Sequence, residues 1–268
     1  MTGGVTGISI LRVPPGKDAE SRILPPPAGP LDGPLVSCLM VTRGARFPAV
    51  HAIDCFRRQT YAARELLIVC DRPDSPLAAL VADINDPMIR LVETPPATLG
   101  ELRNASIAHA RGDMLCQWDD DDLYHPERIV MMVHALLASD VSAVMLHRWT
   151  IWWPDRRIIA RSGRRPWEGT MLVRRGVLPL YPALPLGEDK AAIERLMALH
   201  TVVLVDQPRA YCYVVHGGNS YDVAHFETMI GWASDRTDAA NYDAALDDLA
   251  QSFPVSAYGQ RLMAGAET

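Results

Sequence analysis

The chain has no apolar run as long as a membrane span, no CxxC pair, no glycine-rich GxGxxG turn and no excess of basic residues. Each absence excludes a class. A bilayer-spanning helix needs about 20 consecutive apolar residues, so none is expected. The N-terminus also lacks the basic and apolar regions of a secretory leader, so a cytosolic location is expected, with peripheral attachment to the inner face of the membrane as an extension of it. The five cysteines, Cys38, Cys55, Cys70, Cys116 and Cys212, are widely spaced. That spacing fits reduced thiols packed in strands, not a disulfide framework or a zinc site. Lys and Arg total 26 against 32 Asp and Glu, a formal charge of −6, which argues against a nucleic-acid surface. Without GxGxxG after the first strand, a dinucleotide oxidoreductase is disfavoured. No internal repeat is present.

Apolar residues make up 49% of the 268, enough for one large core or two modest ones. Residues 1–34 are rich in proline and glycine, as in Pro14-Pro15-Gly16 and Pro25-Pro26-Pro27, and are expected to wrap the surface as an arm or to be mobile. A different texture follows. Strands are predicted over 35–41, 66–70, 89–92 and 114–118, alternating with helices over 47–59, 77–84 and 99–110. Such alternation predicts parallel βαβ units, whose ligands gather at the carboxyl ends of the strands. Thr42, Asp71 and the run from Asp119 to Asp122 fall at such ends. The second half is less regular, with strands over 143–153, 157–160, 167–173, 202–205 and 211–215 and a helix over 188–198. Helical patterns dominate from Ala224. The expected division is an arm over 1–34, an α/β domain over 35–222 and a helical appendage over 223–268.

The run Trp118-Asp119-Asp120-Asp121-Asp122 directly follows the apolar Met114-Leu115-Cys116-Gln117. Adjacent carboxylates repel one another, so gathering them at the end of a buried strand calls for a cation. Oxygen ligands suit a hard ion, Mn²⁺ or Mg²⁺, that keeps positions open for substrate phosphates. The plainer alternative is a solvated acidic turn in which Asp122 caps a helix beginning near Pro126.

These features, taken in order, resemble family 2 glycosyltransferases of the GT-A type over roughly residues 35–220. The segment from Val36 to Arg43 is similar to the family's first nucleotide-binding strand, which implies nucleotide contacts for Thr42 and Arg43. Gln59-Thr60-Tyr61 with Glu65-Leu66-Leu67-Ile68-Val69 resembles its QTY…E signature. Cys70-Asp71-Arg72-Pro73 departs from the usual pair of aspartates, leaving Asp71 as the base-contacting carboxylate. Gly100-Glu101-Leu102-Arg103-Asn104 resembles the G…ARN segment, which implies nucleotide roles for Arg103 and Asn104. Asp119-Asp120-Asp121-Asp122 with Pro126 resembles DxDD…P, with Asp121 the first choice for the metal, Asp119 the second, and Asp119 and Asp120 on the nucleotide. Gly187-Glu188-Asp189 resembles the ED motif that supplies the catalytic base, Asp189 ahead of Glu188. Tyr213 to Ser220 resembles the late Y…HGGN.S segment, with His216 at metal or phosphate.

The resemblance implies a Rossmann-like α/β/α sandwich and a metal-dependent, inverting transfer of sugar from a nucleotide diphosphate sugar, UDP-sugar favoured, to an acceptor hydroxyl. The acceptor is a saccharide, a lipid-linked sugar or a small molecule. The chemistry explains the residue types: a cation neutralises the departing diphosphate, and a carboxylate on the far side of the anomeric carbon takes the hydroxyl proton. Plainer readings stand beside these. Asp71 could form a turn, Glu188 and Asp189 could serve the helix dipole, His216 could be a satisfied loop histidine, and Arg103 could pair with a carboxylate. Trp149, Trp152, Trp153 and Trp167 are core packing or sugar platforms. Arg156, Arg157, Arg161, Arg164 and Arg165 are a solvated hairpin or, more sharply, a surface for an anionic acceptor or a membrane. Two alternative functions are a sugar-phosphate nucleotidyltransferase, for which the segment from Met40 to Ala45 makes a poor phosphate loop, and a non-catalytic nucleotide-sugar-binding module. No nucleic-acid partner is expected, and the oligomeric state, a homo-oligomer included, stays open.

Overall fold

The proline- and glycine-rich N-terminal stretch contains two strands, a departure from the expected arm. In the computed structural model, which describes residues 7–27, 29, 31–43, 46–72 and 76–265, β1 (Ile8–Val13) and β2 (Glu20–Leu24) form an antiparallel hairpin. Ile8 and Ile10 point into the core while Ser9 is exposed, the alternation of a half-buried strand. The βαβ region then runs β3 (Val36–Thr42), α1 (Arg46–Arg57), β4 (Arg64–Cys70), α2 (Leu77–Ile84), β5 (Ile89–Glu93), α3 (Leu99–His109) and β6 (Met114–Gln117). After it come β7 (Leu123–Tyr124), α4 (Arg128–Ser139), β8 (Ala143–Leu146), β9 (Thr150–Trp153), β10 (Ile158–Arg161) and β11 (Leu172–Arg174). The chain continues with α5 (Glu188–Leu199), β12 (Val202–Val205), β13 (Tyr211–Val214), α6 (Val223–Gly231), α7 (Tyr242–Ala250) and α8 (Val255–Gly265).

Nine strands form one sheet in the order β2-β1-β12-β8-β11-β6-β3-β4-β5. β6, β3, β4 and β5 are mutually parallel, as are β8 and β12; β11 and the N-terminal hairpin run against their neighbours. Every residue of β3 is buried, the pattern of a parallel strand covered on both faces. Its side chains alternate between two cores: Val36, Cys38 and Met40 join α1, α2, α4 and the C-terminal helices, while Leu39 and Val41 join α3 and α5. This is an α/β/α sandwich. A second sheet, β10-β9-β13-β7, packs on the first of these cores.

The stretch predicted as one strand over 143–153 is divided, with β8 in the large sheet and β9 in the small one. The strand predicted over 167–173 begins as a 3₁₀ turn, Glu168–Thr170, which buries Glu168 at 1% exposure. Asp122 does not cap a helix, because α4 starts at Arg128 with Glu127 before it. It instead accepts a hydrogen bond from the Val214 N–H at 2.9 Å and another from the Tyr211 hydroxyl, tying the aspartate run to β13. Among the described residues no helix is long and apolar enough to cross a membrane.

Candidate functional site

The parallel strands end along one edge of the large sheet, and Thr42, Asp71 and the aspartate run lie at these ends. Thr42 closes β3 and donates its hydroxyl to Asp120 Oδ2, joining the ends of β3 and the aspartate run. Asp71 follows β4 and is 7% exposed. Its Oδ1 is buried without a hydrogen-bond partner among the described residues. A buried, unpaired carboxylate oxygen is costly to folding unless a ligand N–H completes it. Arg43 is exposed just beyond β3, while Pro73, part of the expected nucleotide turn, lies outside the described residues.

Behind the aspartates is a wall of stacked rings around a buried cation. Trp118 stacks on Tyr124 with centroids 3.8 Å apart and donates its indole N–H to the Ala52 carbonyl at 3.1 Å. The fully buried Arg128 guanidinium lies 4.7–5.4 Å from the rings of Tyr124, Trp118 and Tyr211. Desolvation at this strand end, with Arg103 opposing it and Asp121 adding to it, pushes Asp119 up to about 6. Desolvation and the Asp121 charge, against the Thr42 hydrogen bond, push Asp120 up to about 7. Burial and the neighbouring charges of Asp121 and Asp119 raise Asp122 well above the carboxylate range. Carboxylates crowded in this way are relieved by a cation.

Asp121 is the acid that faces the late glycine-rich segment. His216 Nε2 lies 3.2 Å from Asp121 Oδ2, and the Asn219 amide donates to the same oxygen at 3.3 Å. His216 Nδ1 accepts the Gly218 N–H at 3.0 Å, so in the neutral ring Nε2 carries the proton and donates to Asp121. Ligation of a metal through Nε2 would call for the other tautomer, with the proton on Nδ1. Asp119, also expected at the metal, accepts from Gln117 at 3.1 Å and lies 3.6 Å from Arg103. Among the described residues no three His, Cys, Asp or Glu side chains form a ready-made ligand set. The oxygen donors of the aspartate run nonetheless fit a hard cation that takes its remaining ligands from substrate phosphates and water. From the far end of the chain, Tyr258 donates its hydroxyl to the Asp121 carbonyl at 2.8 Å.

The side chains of the G…ARN segment are engaged with the protein itself. Arg103 is 8% exposed and donates from Nε to Glu188 at 2.7 Å, with Glu168 at 3.7 Å. Asn104 spends both ends of its amide on the main chain of Tyr181, at 2.8 and 2.9 Å. The Gly100 N–H donates to the Leu184 carbonyl at 3.1 Å. This face of α3 therefore clamps the loop that leads into α5. Burial, opposed by Arg103 and reinforced by Asp119, pushes Glu168 up to about 7, and its carboxyl accepts the Tyr181 hydroxyl. Glu168 and Tyr181 were missed from sequence; the only signal was a carboxylate inside an otherwise apolar run.

Gly187, at φ 74°, turns the chain into α5 through the left-handed region that glycine tolerates. The next two residues separate. Glu188 is 2% exposed and committed to Arg103, whereas Asp189 is half-buried and within electrostatic reach of Glu168, Arg165 and Tyr221.

Comparison with known proteins identifies the family and the fold. The glycosyl transferase family 2 model matches residues 39–195. The putative colanic acid biosynthesis glycosyl transferase WcaA of Escherichia coli K12 is 32% identical over 107 residues, covering 38% of each chain. WfgD of Escherichia coli, a UDP-Glc:α-D-GlcNAc-diphosphoundecaprenol β-1,3-glucosyltransferase, is 26% identical over 113 residues, 42% of this chain and 45% of that one. The match thus spans less than half the length of these curated relatives. Among solved structures, S. aureus TarS with UDP-GlcNAc superposes with a TM-score of 0.59 at 15% identity, covering 80% of this chain and 71% of that one. The mannosyltransferase PcManGT of Pyrobaculum calidifontis with GDP-Man and Mn²⁺ superposes at 0.56 and 17% identity, covering 72% and 60%. A GT-A-type α/β fold and a family match across more than half of the sequence place this chain in glycosyl transferase family 2.

Proposed function

We propose that this chain transfers a glycosyl group from a nucleotide diphosphate sugar to an acceptor hydroxyl, inverting the anomeric centre, with Asp189 as general base and Mn²⁺ or Mg²⁺ at the diphosphate. The observation that carries the proposal is the convergence of His216 and Asn219 on Asp121, 95 and 98 residues apart in sequence, at the sheet edge that also holds Thr42 and Asp71. Asp71 Oδ1 accepts the imide N–H of uracil, the group that completes its unpaired oxygen. Family relationship supports UDP as the nucleotide: WfgD uses UDP-Glc, and TarS is solved with UDP-GlcNAc. PcManGT, solved with GDP-Man, keeps a guanine nucleotide in the screen.

Asp121, with Asp119 and Asp120 beside it, would hold the cation, which when bound neutralises charge on the departing diphosphate. His216 and Asn219 orient Asp121 by donating to it. Asp189, at the mouth of the site, takes the proton of the acceptor hydroxyl as that oxygen attacks opposite the leaving group. Arg103, Glu168 and Glu188 fix the start of α5 and with it the base.

The test is a thermal-shift screen of UDP-, GDP- and other nucleotide sugars in Mn²⁺ and in EDTA, followed by product analysis. A ligand at a hundred times its Kd stabilises the folded state by about 2.7 kcal/mol. The expected result is stabilisation by a UDP-sugar that EDTA abolishes, with nucleoside diphosphate released on transfer. Pyrophosphate as the product would point to nucleotidyl transfer, and indifference to every nucleotide diphosphate would refute the reading.

A further inference from the structure

Of the five arginines in the cluster over 156–165, four are ion-paired. Arg156 meets Glu227 at 3.5 Å, Arg157 meets Asp243 at 2.9 Å, Arg161 meets Asp235 at 2.9 Å, and Arg164 meets Asp206 at 3.9 Å. Three of these carboxylates belong to the C-terminal region, so most of the cluster fastens the tail to the β9–β10 hairpin. Arg165 differs. It has no ion-pair partner among the described residues, its main-chain N–H is fixed to the His147 carbonyl at 3.1 Å, and its guanidinium lies 5.2 Å from the Trp149 ring. Its charge interacts with Asp189 and Tyr221, and with His225.

Tyr221 follows the glycine-rich segment, is 39% exposed and stacks on His225 with centroids 4.2 Å apart and planes 17° apart. Trp149, Trp152 and Trp153 are buried and Trp167 is half-buried, whereas the Tyr221–His225 pair is exposed and offers an aromatic surface to a sugar. A planar guanidinium held against a ring, with no carboxylate at ion-pair distance among the described residues, is suited to bidentate binding of a carboxylate or phosphoryl group. An acceptor whose hydroxyl reaches Asp189 brings its neighbouring substituents to Arg165.

We propose that Arg165, with the Tyr221–His225 stack, forms an acceptor subsite for an anionic group, a carboxylate or a phosphoryl group, carried by the sugar acceptor near the hydroxyl that reaches Asp189. This rests on the transfer reading above and adds the charge of the acceptor to it.

The experiment measures binding of octyl glucuronide, glucose 1-phosphate and the neutral octyl glucoside to the full chain, with and without UDP and Mn²⁺, by calorimetry. The two anionic arms separate carboxylate from phosphoryl recognition. At least one anionic probe should bind more tightly than the neutral one, with a preference that falls as salt rises. A charge-assisted pair contributes about 1.5–3 kcal/mol, so Arg165→Gln should cut the anionic-to-neutral preference by roughly ten- to a hundredfold. Arg165→Lys, which keeps the charge without the fork, should cut it less. Equal binding of all three probes by the parent, or equal weakening of all three by Arg165→Gln, overturns the subsite. If the Gln variant does not fold, the Lys variant and the salt dependence of the parent decide in the same terms. UDP binding by the parent is scored separately: its failure counts against the donor reading, whereas intact UDP binding without anionic preference counts against the subsite alone.

Discussion

Asp189→Asn and Glu188→Gln should produce opposite lesions although the residues are adjacent. Glu188 is 2% exposed and accepts the Arg103 Nε–H at 2.7 Å. Its amide replacement can still accept that bond but leaves Arg103 with Glu168 and Asp119, at 3.7 and 3.6 Å, as its remaining counter-charges. The loss is that of the charge assistance in one buried hydrogen bond, about 1 kcal/mol. For a domain of this size it lowers Tm by roughly 2–4 °C. Asp189 has no such commitment among the described residues, so its amide should change stability by no more than about 0.5 kcal/mol. As the proposed base, however, it should contribute about a hundred- to ten-thousandfold to the rate, or roughly 3–5 kcal/mol of barrier. Thermal melts and a transfer assay with saturating donor, run on both variants, read the two quantities separately. A stable, active Asp189→Asn beside an inactive Glu188→Gln would reverse the assignment. Normal turnover in both would remove the start of α5 from the chemistry.

Three further outcomes are expected. Asp71→Ala should weaken UDP binding by about ten- to a hundredfold without lowering Tm, since it deletes a buried oxygen that lacks a partner among the described residues; equal calorimetric affinity in mutant and parent would take Asp71 out of the site. Tyr258→Phe removes the hydroxyl that holds the Asp121 carbonyl, at a cost of about 1 kcal/mol, and should weaken Mn²⁺-dependent UDP binding a few-fold; unchanged binding would make α8 mere packing. Glu65 should make stability depend on acid: burial favours its neutral form, but donors from Ser37 at 2.6 Å, Arg111 at 2.7 Å and Arg90 at 3.1 Å outweigh burial and hold the carboxyl below its usual range. Its contribution is therefore present above the unfolded-state pKa and lost as pH falls through the lower folded-state value, so the Tm gap between parent and Glu65→Gln should shrink from about pH 7 to about pH 3. A gap that stays constant would refute it.

The first half of the fold was legible because its strands are continuous apolar runs and its helices carry local signals, such as the capping box of Thr98 and Glu101 at the start of α3. The N-terminal hairpin was not legible. Its prolines and glycines read as loose chain, and its pairing with β12 joins Ile10 to Val205, a contact no local pattern announces. At the site, Thr42, Asp71 and the aspartate run could be placed because strand ends are visible in sequence. The bonds of Asn104 to the main chain of Tyr181, 77 residues on, could not be read from sequence. The alternative in which Asp122 caps a helix fails for the same reason: its partners, Tyr211 and Val214, lie in another sheet.

The clamp between α3 and the loop before α5 bears on how natural variants should be interpreted. Glycine to alanine within a helix is ordinarily counted as benign or favourable, by about 1 kcal/mol. At Gly100 a Cβ would sit 1.8 Å from the Pro182 carbonyl oxygen and 3.3 Å from the Leu184 nitrogen. One methyl group would therefore displace the loop that leads into α5, so a change scored as harmless by helix preference should here lower Tm and, with Asp189 as the proposed base, turnover as well.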